Sequence, residues 1–224
     1  MTPRLPVVFY PPFLSAVELR AAELDGELFA VGWGWEHADL PPSAAARAAS
    51  LRPELPPRAI LADRTAAWVW GWTTRRVGVA ICIDIRARIS SPHRRSYRAR
   101  EVVIDGDEVR HLGGVSITSP ERTIVDLARH DGANDVVILM AAGIRHHALM
   151  PERIGHLADR RPSSAGRRRA SERIAAAFAL VGSAVADAVD VVDRVDSTNG
   201  VEHPIEVCGV AHLEDETTEG EAVA

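Results

Sequence analysis

Nine histidines and 31 carboxylates are the groups in this 224-residue sequence that could ligate a metal or carry protons. Their spacing assembles neither function. His146 and His147 are adjacent, which on a helix turns the two rings about 100° apart, whereas a helical metal pair needs ligands at i and i+4 on one face. His130 and His156 have no partner at a ligand spacing that differs from ordinary surface charge. Arg122 and Asp126 stand four apart, a spacing that suits a structural ion pair on one helix better than a proton-transfer dyad, because arginine keeps its proton near neutral pH. These residues call for no metal, no cofactor and no catalytic group.

The basic residues narrow the chemistry further, since all 26 are arginine and the chain has no lysine. A P-loop, a Schiff base, a protein kinase and a class A β-lactamase each need a lysine amine, and so does a nuclease of the Pro-Asp…Asp/Glu-x-Lys type. Arginine cannot act as nucleophile or general base in its place. No Gly-x-Ser-x-Gly elbow occurs, Gly113-Gly114 reads as a bend before a strand, and Gly32-Trp33-Gly34 lacks the third glycine of a dinucleotide fingerprint. Cys82 and Cys208 are too few for a disulfide framework and read as packing thiols. The expectation is a protein that works by binding and is not an enzyme.

Charge distribution points to what it could bind. Arg75, Arg76, Arg86, Arg88, Arg94, Arg95, Arg98 and Arg100 face a single acid, Asp84, in the same stretch, while the chain beyond Asp187 is acidic and the net charge is -5. Such a stripe suggests a nucleic-acid footprint, or a surface for which the acidic tail competes. The longest apolar runs, such as Val136 to Ile144, fall short of the roughly 20 residues that cross a bilayer, so no membrane partner and a cytoplasmic location are expected.

The elements that must carry these residues read as α+β. Ser15 caps a helix to Gly26 with Glu18 completing a capping box, and Phe29, Val31, Trp33 and Trp35 then alternate with small residues as in a strand or ribbon. Proline pairs at 41–42 and 56–57 bracket a short helix, Ser43 to Leu51. From Arg58 onward, Asp63 is placed to cap a helix holding Trp68 and Trp72, and alternation from Val77 to Ile85 predicts a strand with one buried side. Arg98 to Ile104 and Glu108 to Leu112 read as a hairpin about Asp105-Gly106. Val115 to Thr118 leads into a helix capped by Ser119, with Pro120 in its first turn, Ile124, Leu127 and Ala128 forming its apolar face, and Arg122 and Asp126 on the other side. Asp135 to Leu149 reads as a helix buried all round, and helices from Pro151 and Arg167 follow. The expected organisation is a shortened winged-helix-like module (1–40), a connector (41–57), an α/β domain with a small, mainly antiparallel sheet and C-terminal helices (58–182), and an acidic tail (183–224).

Three stretches together resemble a known family. They are Glu18 to Asp39, then Arg58-Ala-Ile-Leu-Ala-Asp-Arg-Thr-Ala-Ala-Trp-Val-Trp-Gly71, then Gly113-Gly-Val-Ser-Ile-Thr-Ser-Pro-Glu-Arg-Thr-Ile-Val-Asp-Leu-Ala-Arg129. They are similar to the actinobacterial branch of the AbiEi-type abortive-infection antitoxins, over residues 15 to 181. Within this pattern Ser119, Pro120, Arg122, Thr123 and Asp126 form the structural motif. The resemblance implies an N-terminal winged helix that represses the antitoxin's own promoter. It also implies an α/β domain that counters a nucleotidyltransferase-like toxin without necessarily touching it, and it brings no catalytic residues. The chain departs from the pattern at its start. Only one helix precedes the ribbon, and that segment carries Glu18, Glu23, Asp25 and Glu27 against Arg20, charges that oppose contact with phosphates. A DNA-binding transcriptional regulator without a toxin partner is the alternative reading.

Overall fold

Ser15 starts the first helix, α1 (Ala16–Leu24), in the computed structural model, which describes residues 8–11, 14–74, 78–87, 97–160 and 166–198. The Ser15 hydroxyl accepts from the Glu18 amide at 3.2 Å and the Ser15 amide donates to the Glu18 carboxylate at 2.8 Å, so two otherwise orphaned donors are satisfied reciprocally. Next come β1 (Leu28–Val31) and β2 (Gly34–His37), paired antiparallel about Gly32-Trp33. The Phe29-to-Trp35 alternation is thus folded back on itself, with Trp35 opposite Ala30. Trp35 Nε1 donates to Glu23 at 2.7 Å and pins the hairpin to α1. One helix and one hairpin, with Phe9 bridged to Trp35, make up the described structure before residue 40.

The proline-bracketed helix is a core element. In α2 (Ala44–Ala49), capped by the Ser43 hydroxyl on the Ala46 amide at 3.0 Å, Ala46 and Ala48 are fully buried, as are Ser50 and Leu51 beyond its end. Its backbone is approached by Gly113: a Cβ there would lie 2.3 Å from the Ala45 carbonyl oxygen. Gly113 and Gly114, at φ 56° and 74°, form the two-residue turn between β6 (Val109–Leu112) and β7 (Val115–Thr118), a turn that requires positive φ at both positions.

The larger sheet has five strands in the order β5-β4-β3-β7-β6, where β3 is Ile60–Leu61, β4 is Ala80–Asp84 and β5 is Arg98–Val102. It is mixed rather than mainly antiparallel. β3 pairs with β4 and β6 with β7 antiparallel, whereas β3 with β7 and β4 with β5 are parallel. The hairpin expected between Arg98–Ile104 and Glu108–Leu112 does not form, and its two strands occupy opposite edges. Asp105-Gly106 leads instead into a single turn of 3-10 helix, Gly106–Glu108, whose Glu108 carbonyl accepts the Ser119 amide at 2.7 Å. That contact, with the Gly113-Gly114 turn, commits the second strand to β7. The sheet's centre, the two-residue β3, is too short to register as a period. β4 is buried on both faces: Ile81 and Ile83 pack with Leu61 and Ile117, while Cys82 packs with Ile60, Ala62 and Ile104.

The helical layer is built on α4 (Pro120–His130), with α3 (Asp63–Val69), α5 (Val136–His147), α6 (Pro151–Asp159) and α7 (Arg167–Thr198). α4 is buried from Arg122 through Ala128 without a break, so its polar side is as enclosed as its apolar one. Ile124, Leu127 and Ala128 pack with Leu139, Met140 and Ile154. Arg173 on α7 donates to the Ala128 and Asp131 carbonyls at 3.0 and 2.6 Å, closing the C-terminal end of α4. α5 is buried on one side only, because Ile138 is 67% exposed and His146 is exposed. α7 extends into the segment expected as an acidic tail (183–224), and the chain divides into compact units Met1–Val185 and Ala186–Ala224. No helix among the described residues is long and apolar enough to cross a membrane.

Trp68 and Trp72 are core residues at 6% and 7% exposure, and Trp72 lies against the backbone of α5 at Gly143. A Cβ at Gly143 would fall 2.6 Å from the indole ring. Gly143→Ala is therefore expected to destabilise by about 1–3 kcal/mol, read as a lower urea midpoint at unchanged m-value. An unchanged midpoint would show that the ring does not pack there.

Candidate functional site

The charged residues of α4 connect two edges of the sheet. Ser119 Oγ accepts from the Arg122 amide at 3.2 Å, Pro120 occupies the first turn where no amide is needed, and Thr123 Oγ1 meets Thr118 Oγ1 at 2.7 Å and donates to the Ser119 carbonyl at 2.8 Å. This cap fixes the rotation of the helix. Arg122 consequently points Nε at Asp126 (2.9 Å) and Nη1 at Glu108, with all three residues at 1–2% exposure. Arg160, at the end of α6, closes one end of the chain on Glu108 at 3.3 Å and Asp107 at 3.0 Å. At the other end Asp126 faces Arg100 of β5 at 3.5 Å, and Arg100 clamps both oxygens of Asp63, Nη2 to Oδ1 at 2.8 Å and Nε to Oδ2 at 3.2 Å.

Asp63 departs from its expected role. The helix-capping position is Ala62, which makes no side-chain cap bond, and Asp63 itself sits in the first turn at φ 50° with its carboxylate turned to Arg100. A non-glycine residue in this region is strained and needs surrounding contacts to hold it. Burial pushes the Asp63 carboxyl above its ordinary value, against the pull of Arg100, and Asp126 adds to the rise. For the Arg100 and Arg122 guanidinia, burial is the largest single effect and lowers the proton affinity, but the neighbouring carboxylates together, led by Asp126 and joined by Asp63 at Arg100 and by Glu108 at Arg122, hold both above the ordinary value. Cys82 lies beside this chain, its thiol pushed up to about 12 by burial and then by Asp126.

A cavity of about 760 Å³ opens where the chain of charges ends, lined by Asp63, Arg64, Tyr97, Arg100, His130 and Asp131 among others. Arg64, next to Asp63, donates Nε to Asp131 at 2.5 Å and both remaining nitrogens to Asp135; these bonds, those to Asp135 first, raise the Arg64 guanidinium above its ordinary value and tie α3 to the α4–α5 loop. His130, the last residue of α4, has Nδ1 3.0 Å from the Asp126 carbonyl. Since a carbonyl only accepts, Nδ1 carries the hydrogen and Nε2 is left as an acceptor. Burial, followed by the Arg100 charge, depresses the imidazole pKa, with Asp126 opposing.

Of the eight arginines in the stripe, Arg100 is directed inward, and Arg86 is an exposed residue paired with Asp84 at 2.9 Å. Arg98 lies in β5 in register with Ala80. Arg75, Arg76, Arg88, Arg94 and Arg95 lie outside the described residues, as does Cys208. The His146 and His147 rings stack edge to face at 4.8 Å, and His147 also meets Trp70 and Trp72 at 5.4 and 5.9 Å. Among the described residues, Asp105, Asp107 and Glu108 approach metal-ligand geometry, but Arg160 and Arg122 already meet two of these carboxylates. Sequence reasoning missed Glu108, Asp63 and Arg160 as partners of the Arg122–Asp126 pair. The one available signal was an acid immediately before a strand edge.

Two outcomes follow from this geometry. Arg122→Leu removes the central partner of two buried carboxylates and should cost about 3–5 kcal/mol, much of the stability of a typical domain; a melting temperature within a degree or two of the parent would refute the network's role. His130 and His147 both have depressed pKa values, His147 chiefly through burial. The unfolded chain therefore protonates at these positions first, so their contribution is full above about 6.5 and is lost as pH falls toward the depressed folded values. His130→Gln combined with His147→Gln should flatten the decline in unfolding free energy between about pH 7 and pH 5; an equally steep decline in the double variant would contradict the assignment.

Comparison with known proteins places this arrangement. Residues 59–174, more than half of the chain, match the family model described as the AbiEi antitoxin C-terminal domain, a span that holds Asp63, Arg100, Glu108, Arg122, Asp126 and Arg160. A crystal structure of the RV2827C protein from Mycobacterium tuberculosis aligns at a TM-score of 0.44 and 18% identity, covering 74% of this chain and 68% of that one. The curated proteins contain no significant match. The buried charge chain is thus the interior of a recognised domain, and the protein belongs to the AbiEi antitoxin family.

Proposed function

We propose that this chain is the antitoxin of a type IV toxin–antitoxin pair, countering a nucleotidyltransferase-like toxin and regulating its own promoter. The match of residues 59–174 to the antitoxin domain carries this reading. The charge chain supports a binding role, because its buried acids and arginines are engaged with one another and serve to hold the fold. Co-expression tests the first part. The gene next to this one should arrest growth when induced alone, and co-induction of this chain should restore growth; arrest that persists at equal expression of a folded antitoxin would overturn the reading.

For the second part, we place promoter contact on the arginine stripe outside Arg100, whose charge is already met by Asp63 and Asp126. The acidic α1 segment is then a packing or protein-contact element, a role supported by the bonds of Glu18 to Ser15 and of Glu23 to Trp35 and Arg20. In an electrophoretic shift assay on the upstream promoter, Arg94→Ala with Arg95→Ala should weaken binding and reduce the salt slope by roughly 1 for each phosphate that is no longer neutralised. Loss of the shift on altering residues 18–27, with the arginine variant unaffected, would refute this placement.

A further inference from the structure

The cavity beside Asp63 is left without a role by an antitoxin reading that rests on the domain as a whole. Its volume of about 760 Å³ falls within the roughly 300–1,000 Å³ of small-molecule sites. Three separate features mark it as more than a packing gap. Asp63 holds a strained backbone conformation at its wall. His130 is fixed as one tautomer by the Asp126 carbonyl, so its Nε2 offers an acceptor. Arg100 uses Nε and Nη2 on carboxylates and has no partner for Nη1 among the described residues, so a further N–H donor belongs to a residue that lines the same cavity as His130.

The balance of charge selects the ligand class. The two lining guanidinia are already matched by Asp63, Asp131 and Asp135. A phosphate entering here would find no unspent positive charge and would be repelled by the Asp63 and Asp131 carboxylates. A neutral ligand with a donor and an acceptor on adjacent ring atoms can donate to His130 Nε2 and accept from Arg100 Nη1. The remaining wall includes the Tyr97 ring and the methyl groups of Ala80, Ala99 and Ala133, which suit a flat π surface. We propose that this cavity is a nucleobase site, taking the hydrogen-bonding edge of a base between His130 and Arg100 with its face against Tyr97. The base could arrive as a free nucleoside or within a single strand, and the proposal is independent of whether a toxin partner exists.

Titration calorimetry on the full chain tests it, using adenosine, guanosine, cytidine and thymidine separately, a short mixed-sequence single strand, and inorganic phosphate. At least one nucleoside or the strand should bind saturably, and phosphate in tenfold excess should not displace it. Binding by a nucleoside identifies the free base as sufficient, and binding by the strand alone identifies a base held in a chain. His130→Phe removes the acceptor and should weaken binding at least tenfold. Ala133→Leu, at an exposed position in the cavity wall, should do the same by filling the space, with its melting curve confirming the fold should the histidine variant not fold. Absence of saturable binding by every nucleoside and by the strand, displacement by phosphate, or affinity unchanged in Ala133→Leu would each overturn the proposal.

Discussion

Arg122 stands in the interior with its guanidinium shared between Asp126 and Glu108, and the domain's geometry depends on that sharing. Each of these charges taken alone from water would cost several kcal/mol. The cost is offset only if every partner is in place, which makes the arrangement exacting. Glu108 must arrive from the turn before β6, Asp126 must lie one helical turn along α4, and Arg100 must reach in from β5. A fold that satisfies all three conditions has little freedom in how α4 crosses the sheet. The network is thus better described as a constraint that selects one packing than as a large net source of stability.

That constraint explains features that look unrelated. The Ser119 cap and Pro120 set where α4 begins and hence which way Arg122 points. The Ser119 amide bond to the Glu108 carbonyl brings the 3-10 turn to the same place, which draws β6 to the far edge from β5. The paired glycines at 113 and 114 let β6 return against β7 while leaving room for α2. On the opposite flank, Arg173 and Arg64 hold the α4–α5 connection from α7 and α3. The cavity lies where these restraints end, against the strained Asp63 and the last residue of α4. A rigid scaffold ending at a partly open pocket, lined by apolar groups with a few placed polar ones, is the general arrangement from which binding sites are made.

Residues of this chain therefore divide into two kinds. Those from Ser119 to Asp126 are architectural, since Ser119, Arg122, Thr123 and Asp126 are buried and meet one another or the helix start. Contact with other molecules must come from what this core positions at the surface and in the cavity. The arginine stripe illustrates the division, because Arg86 stays exposed at the surface while Arg100 is turned inward, partly buried, by two carboxylates. Counting charges along a sequence cannot separate them.

Local order was legible in the residues themselves. The capping box at Ser15 and the Ser119-Pro120 helix start depend on neighbours within a few positions, where steric and hydrogen-bonding preferences act directly. The missing lysines excluded whole reaction classes without reference to any fold. Long-range partners were decided only by the tertiary structure. The parallel pairing of β4 with β5, the separation of β5 from β6, and the joining of Asp63, Arg100, Asp126, Arg122 and Glu108 bring together residues as many as 63 positions apart, Asp63 and Asp126 being the extremes. An Arg–Asp spacing of four reads the same on a solvated helix as on a buried one. Burial from both sides of α4, set by packing of the whole domain, turned that pair from surface charge into the centre of the structure.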